Sequence, residues 1–163
     1  MRWRKLDTQE KDLAIKLFNR WDSETSPRIS ECSGGITGTV EQLYNHGGIL
    51  VAEGRDYCGL GAYCFGEPTK NFENKETCYI YDLVIDKESR GVAIKGFAKT
   101  LLEEMISNEA SELKFKGEIG NPVNRLLIKI GEPLAIEKNA AGTYSILYST
   151  DINQLKDLMG VAR

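Results

Sequence analysis

A strand that feeds a basic, glycine-containing turn and then a helix is a ready-made anion site, and residues 77–105 have that form. Thr77-Cys78-Tyr79-Ile80-Tyr81-Asp82-Leu83-Val84-Ile85 is the strongest strand signal in the chain, rich in β-branched and aromatic residues. A turn follows, and a helix is expected from near Gly96, with Leu101, Leu102 and Met105 on one face and Lys99, Glu103 and Glu104 away from it. The first-turn N–H groups of a helix have no partners inside it, and the macrodipole favours an anion there. Lys87, Arg90 and Lys95 add positive charge, and Gly91 and Gly96 permit close backbone approach. A pyrophosphate suits such a place. An ordinary strand-to-helix connection with solvated charges is the plainer alternative.

Other chemistries have less material. His46 is the only histidine, and the four cysteines (Cys32, Cys58, Cys64 and Cys78) contain no C-x-x-C pair. A zinc site of two cysteines and two histidines is therefore impossible, and no metal is expected. A Ser-His-Asp or Cys-His enzyme would have to run through His46 in Tyr44-Asn45-His46-Gly47-Gly48, which reads as a helix end entering a turn, with the histidine at the surface.

The 163 residues suit one domain, taken as 1–163. Hydrophobic residues at 41% and charged residues at 28% exclude a disordered or fibrous chain. No apolar run reaches the roughly 20 residues of a bilayer span, and Met1-Arg2-Trp3-Arg4-Lys5-Leu6-Asp7 lacks the apolar stretch of a secretory signal, so a cytoplasmic location is expected. Lys plus Arg number 21 against 24 Asp plus Glu, a net charge of −3 that leaves no footprint of a nucleic-acid binder.

The elements around the turn are legible in outline. Residues 2–6 read as a short strand, and Asp7 with Glu10 as a capping box opening a helix over 8–21 on Leu13, Ala14, Leu17, Phe18 and Trp21. Residues 22–38 are a long irregular stretch, the kind that is often functional, and 39–44 a short helix. Residues 48–53, 57–65 and 77–85 predict a three-stranded meander with a tight turn at Gly54-Arg55-Asp56. Residues 111–119 alternate as a strand, and Asn121-Pro122 reads as a helix start with Pro at the first helical position, continued by Val123, Leu126, Leu127 and Ile130 to Gly131. Residues 134–136 and 143–148 are two last strands around Asn139-Ala140-Ala141-Gly142, and 152–159 a closing helix. Trp3 and Trp21 are expected to be packing residues.

This order of elements resembles the GNAT superfamily of acyl-CoA-dependent N-acyltransferases over nearly the whole chain. The family's motif is Arg or Gln, two residues, Gly, one residue, Gly or Ala, then two leucines. Gly96-Phe97-Ala98-Lys99-Thr100-Leu101-Leu102 is similar to its second half, and Ile85-Asp86-Lys87-Glu88-Ser89-Arg90-Gly91 to the family's strand end and Arg-Gly turn. The halves are offset, since Ala93 and not Arg90 falls three residues before Gly96; either the turn is a few residues longer here or part of the match is fortuitous. Asn121 to Gly131 is similar to the family's later Asn-led helix, keeping Leu126, Lys129 and Gly131 in step, with Leu127 where a tyrosine usually stands and Glu132 where a phenylalanine does.

The resemblance implies an α/β (α+β) GNAT-like fold: a central mixed, mostly antiparallel sheet of about six or seven strands flanked by helices, with a splayed fourth and fifth strand pair. It implies acetyl-CoA as acyl donor, held by the backbone of Leu83, Val84 and Ile85 and by Arg90, Gly91, Lys95, Gly96, Ala98 and Asn121. Direct attack of an amine on the thioester needs a base and an acid. Asp82 is the carboxylate best placed by position, on the strand face opposite Tyr79 and Tyr81, and Tyr79, Tyr81, Tyr144 and Tyr148 are candidates for the absent tyrosine's role, with Tyr81 and Tyr144 foremost. The expected acceptor is an amine-bearing small molecule or peptide, and a homodimer is a family-level expectation. The rival readings are a catalytically silent GNAT-like binding or structural module, as in some phage-encoded relatives, and a small domain for another phosphorylated ligand.

Overall fold

A computed structural model of the chain describes residues 1–25, 28–122, 124–139 and 142–161. Its strands are β1 (Arg2–Lys5), β2 (Gly47–Glu53), β3 (Tyr57–Phe65), β4 (Thr77–Ile85), β5 (Glu112–Glu118), β6 (Glu132–Lys138) and β7 (Tyr144–Asp151). The helices are α1 (Lys11–Trp21), α2 (Gly35–His46), α3 (Arg90–Ser107), α4 (Asn124–Ile130) and α5 (Ile152–Met159). The strands form a seven-stranded mixed sheet in the order β1-β2-β3-β4-β5-β7-β6. The β4–β5 pair is parallel, whereas β1–β2, β2–β3, β5–β7 and β6–β7 are antiparallel. This is the expected GNAT-like architecture. The parallel register runs from Thr77↔Glu112 to Tyr79↔Lys114, although β4 continues to Ile85 and β5 to Glu118.

The chain divides into two compact units, Met1–Cys64 with Tyr81–Leu101, and Phe65–Ile80 with Leu102–Arg163. The first has a core of Leu6, Ala14, Leu17, Phe18, Trp21, Ile29, Val40, Leu43, Ile49, Val51, Leu60, Ala62 and Val84. Asp7 and Glu10 form the expected capping box: the Asp7 carboxylate accepts from Gln9 N–H at 2.8 Å and the Glu10 carboxylate from Asp7 N–H at 3.0 Å. Trp3 is buried, and its indole Nε1–H donates to the Ala93 carbonyl at 2.8 Å, tying β1 to the first turn of α3. Phe97 meets the Trp3 ring edge-on with centroids 5.2 Å apart. In the second unit Phe115 stacks on Tyr148 at 5.6 Å, and Asp151 caps α5 through Asn153 N–H at 2.7 Å and Gln154 N–H at 2.9 Å.

Several boundaries depart from expectation. α3 begins at Arg90, not near Gly96, because its buried stripe already starts at Ala93 and continues through Phe97, Leu101 and Met105 at helical spacing. Gly96 thus lies in the second turn of the helix. α2 begins at Gly35, four residues earlier than its apolar residues suggest. Gly34 supplies the left-handed φ of 82° that turns the chain into it, and burial of Thr39, Val40 and Leu43 holds the helix in place. It ends at His46 with β2 starting at the next residue, so no turn separates them, and His46 is half-buried.

α4 begins at Asn124, after a turn in which Asn124 N–H donates to the Asn121 carbonyl at 3.1 Å, so Pro122 is not its first residue. On it Leu126 and Ile128 are 41% and 59% exposed, whereas Leu127 and Ile130 are half-buried. Val123, Ala140 and Ala141, named above in the expected helix and turn, and Ser26 and Pro27 of the irregular stretch lie outside the described residues. Among the described residues no helix is long and apolar enough to cross a membrane.

Candidate active site

Most of the sequence-derived candidates fall in the first unit, along β4 and the start of α3. Asp82 is half-buried, and one carboxylate oxygen accepts from Leu83 N–H at 2.8 Å. Burial pushes its pKa up to about 6, with that N–H pulling the other way, and no Lys or Arg among the described residues pairs with it. A carboxylate in this state is ionised near neutrality yet basic enough to accept a proton.

Tyr81, its neighbour, is also half-buried and packs against the core of the first unit. Burial foremost, and then the Cys32 thiol, raise its pKa, while a hydrogen bond with Thr39 works against them, so the phenol keeps its proton. Cys32 was not singled out from the sequence. Its thiol donates to the Arg28 carbonyl at 3.6 Å, and burial foremost, then the Asp22, Asp82 and Glu31 carboxylates, push its pKa up, with Tyr81 working against them. It is a neutral thiol and not an activated nucleophile. The sheet alternation expected to part Tyr81 from Asp82 therefore still leaves both within electrostatic reach of one side chain. Nothing in the spacing of 22–34 marks Cys32 or its partner strand.

The candidates Leu83, Val84 and Ile85 follow Asp82 on β4; Leu83 is half-buried and the other two are buried. The strand then enters a single 3-10 turn, Lys87–Ser89, closed by Ser89 N–H donating to the Asp86 carbonyl at 2.9 Å. Arg90 is exposed, and its Nε donates to the Ile85 carbonyl at 3.2 Å. That bond fixes the guanidinium beside the helix start with its Nη groups uncommitted among the described residues. Lys87 and Lys95 are exposed. A Cβ on Gly91 would meet nothing within 4 Å, and Val92 is 74% exposed, so the surface here is open to a ligand. Gly96 differs: a Cβ there would lie 2.6 Å from Trp3 Cδ1, so its close approach is to the Trp3 indole. Ala98 is half-buried on α3.

The remaining candidates belong to the second unit. Asn121 is exposed in the turn before α4. Tyr144 is 51% exposed at the start of β7, with the Lys138 ammonium 5.8 Å from its ring centroid. Tyr148 is buried and its hydroxyl donates to Asn124 Oδ1 at 3.0 Å, which commits its proton to a structural bond. Tyr79 carries Lys116 over its ring at 5.7 Å, and Lys116 pairs with Glu137.

No family model matches the sequence, and no curated protein matches it. Solved structures do. The ribosomal-protein-alanine N-acetyltransferase from Brucella melitensis aligns with a TM-score of 0.67 at 16% identity, over 93% of this chain and 99% of its own. A Salmonella typhimurium structure solved with its cofactor acetyl-CoA gives 0.66 at 14% identity over 93% and 94%. The acetyltransferase of GNAT family from Streptococcus pneumoniae gives 0.65 at 11% identity over 91% and 97%. At these identities the likeness shows the fold: the chain has the GNAT fold.

Proposed function

We propose that the chain transfers an acetyl group from acetyl-CoA to a primary amine by direct attack. The observation that carries the reading is Asp82, a half-buried carboxylate on β4 without a cationic partner and with its pKa pushed up to about 6. The GNAT fold, and acetyl-CoA in one structure that shares it, support the donor. Arg90, Lys87 and the open surface at Gly91 suit its pyrophosphate at the helix start. The backbone of Leu83 to Ile85 suits its pantetheine arm, as the resemblance implies.

In this mechanism Asp82 removes a proton from the acceptor's ammonium, and the freed nitrogen attacks the thioester carbonyl carbon. The new C–N bond forms as the C–S bond breaks; the departing thiolate takes a proton from Tyr81, whose raised pKa keeps it an acid at neutral pH, and the phenolate is restored by the second proton that the attacking nitrogen sheds as it becomes the amide. The Asp22, Glu31 and Asp82 carboxylates around Cys32 favour a cationic acceptor, a small amine or a peptide terminus.

Calorimetric titration with acetyl-CoA, with ATP as control, tests the donor, and thiol release over a panel of diamines and peptides tests the reaction. Micromolar binding of acetyl-CoA but not ATP, followed by amine-dependent thiol release, is the expected result; equal affinity for ATP sinks the reading. Arg90→Ala is expected to weaken acetyl-CoA binding about tenfold and to flatten its salt dependence, because a charge-assisted contact is lost. Binding with no turnover on any amine would favour the silent module. That reading is supported by Leu127 standing in place of the family's tyrosine and by the commitment of the Tyr148 hydroxyl to Asn124.

A further inference from the structure

Asp86 is an awkward residue to find at the entrance to an anion site. It joins β4 to the basic turn, and a carboxylate there would repel a pyrophosphate and compete with it for Lys87 and Arg90. The fold restrains it from the other side. Trp21, 2% exposed at the end of α1, donates its indole Nε1–H to Asp86 Oδ1 at 3.3 Å. The neighbouring Arg20 guanidinium lies 4.7 Å from the Trp21 ring centroid and 3.9 Å from Asp86 Oδ2. Arg20 is itself anchored, donating to Asp56 Oδ2 at 3.2 Å and to the Tyr57 carbonyl at 3.1 Å. The Asp86 main chain is held as well, its N–H donating to the Cys58 carbonyl at 2.9 Å and its carbonyl accepting from Ser89 N–H at 2.9 Å.

We propose that Trp21, assisted by Arg20, is a positioning residue for the donor: by holding the Asp86 carboxylate against α1 it keeps Lys87 and Arg90 available to the pyrophosphate. The inference rests on the donor reading above. Trp21 touches no ligand; it acts through Asp86. Without the indole N–H the carboxylate is released to pair with the basic side chains of its own turn, and the anion meets a neutralised site.

The experiment compares acetyl-CoA with S-acetylpantetheine, which lacks the pyrophosphate, in calorimetric and competition titrations of the whole chain. Trp21→Phe is expected to weaken acetyl-CoA binding about five- to tenfold, the worth of one ordinary hydrogen bond, and to leave S-acetylpantetheine unchanged. Adding Asp86→Asn to that variant is expected to restore most of the lost affinity, since no carboxylate is left to restrain. Equal loss for both ligands, or no recovery in the double variant, would assign Trp21 a purely packing role and overturn the inference. Unaltered acetyl-CoA affinity in Trp21→Phe would overturn it as well. Absence of acetyl-CoA binding by the unsubstituted chain would overturn the donor reading, and this inference with it.

Discussion

Asp82→Asn is expected to cut turnover by orders of magnitude and at the same time to raise the melting temperature. The carboxyl is pushed up to about 6 by burial from an ordinary value of 3.8. The folded chain therefore holds this proton more tightly than the unfolded chain does. Its contribution to stability is fully present below about pH 4 and is lost as pH rises through about 6. At neutral pH the buried charge costs up to about 3 kcal/mol. An asparagine of the same shape removes that charge, and its oxygen still accepts from Leu83 N–H. A gain of a few degrees is expected by scanning calorimetry at pH 7.5, shrinking towards pH 4. Turnover is expected to fall by about 10²–10⁴-fold, the usual worth of a general base. In the unsubstituted chain kcat/KM should drop on the acid side with a midpoint near 6. A stabilised but active Asp82→Asn would leave Asp82 a merely buried carboxylate, and a destabilised one would contradict the burial argument.

The largest loss of stability is expected at Trp3. Its indole is buried, bonded to the Ala93 carbonyl and set edge-on to Phe97, and it runs past both Gly59 and Gly96, where added Cβ atoms would lie 3.0 Å and 2.6 Å from its ring atoms. Trp3→Ala empties that space and is expected to cost about 3–5 kcal/mol, lowering the melting temperature by on the order of 10 °C. Gly96→Val approaches the same contact from the other side. Backbone Cα and indole have no flexible end to yield, so overpacking of about 1–3 kcal/mol or more is expected. Titrating the folded fraction with acetyl-CoA separates the two roles open to Gly96. Unchanged affinity makes it a packing residue, and lost affinity returns it to the donor site.

What the sequence made legible was local. The capping box at Asp7 and Glu10 needs only a spacing of three, and β4 declares itself by nine consecutive residues. The turn at Lys87 and Arg90 was found from charge and glycine, but the helix after it was begun late because Gly91 and Gly96 read as loop residues. Gly96 is where the indole of a residue far away in the chain needs room, and nothing near it in the sequence announces that. Asp82 was found by its place on the strand. Its altered proton affinity was not, because burial is supplied by surroundings that no spacing encodes. Cys32 beside Tyr81 and Trp21 bonded to Asp86 were missed for the same reason, the latter pair being 65 residues apart.

β6 ends the sheet, and its outward character has a consequence for every heating experiment described above. Leu134 and Ile136 are 53% and 67% exposed on this last strand, and Pro133 interrupts its row of donors at one point only. An edge with apolar side chains and open backbone groups is a template for other chains once neighbouring structure loosens. Molecules whose second unit opens first should capture one another faster than they refold, so the thermal transition becomes a rate process. Apparent melting temperatures should then rise with scan rate and fall with protein concentration, and variants are best ranked from dilute, fast scans.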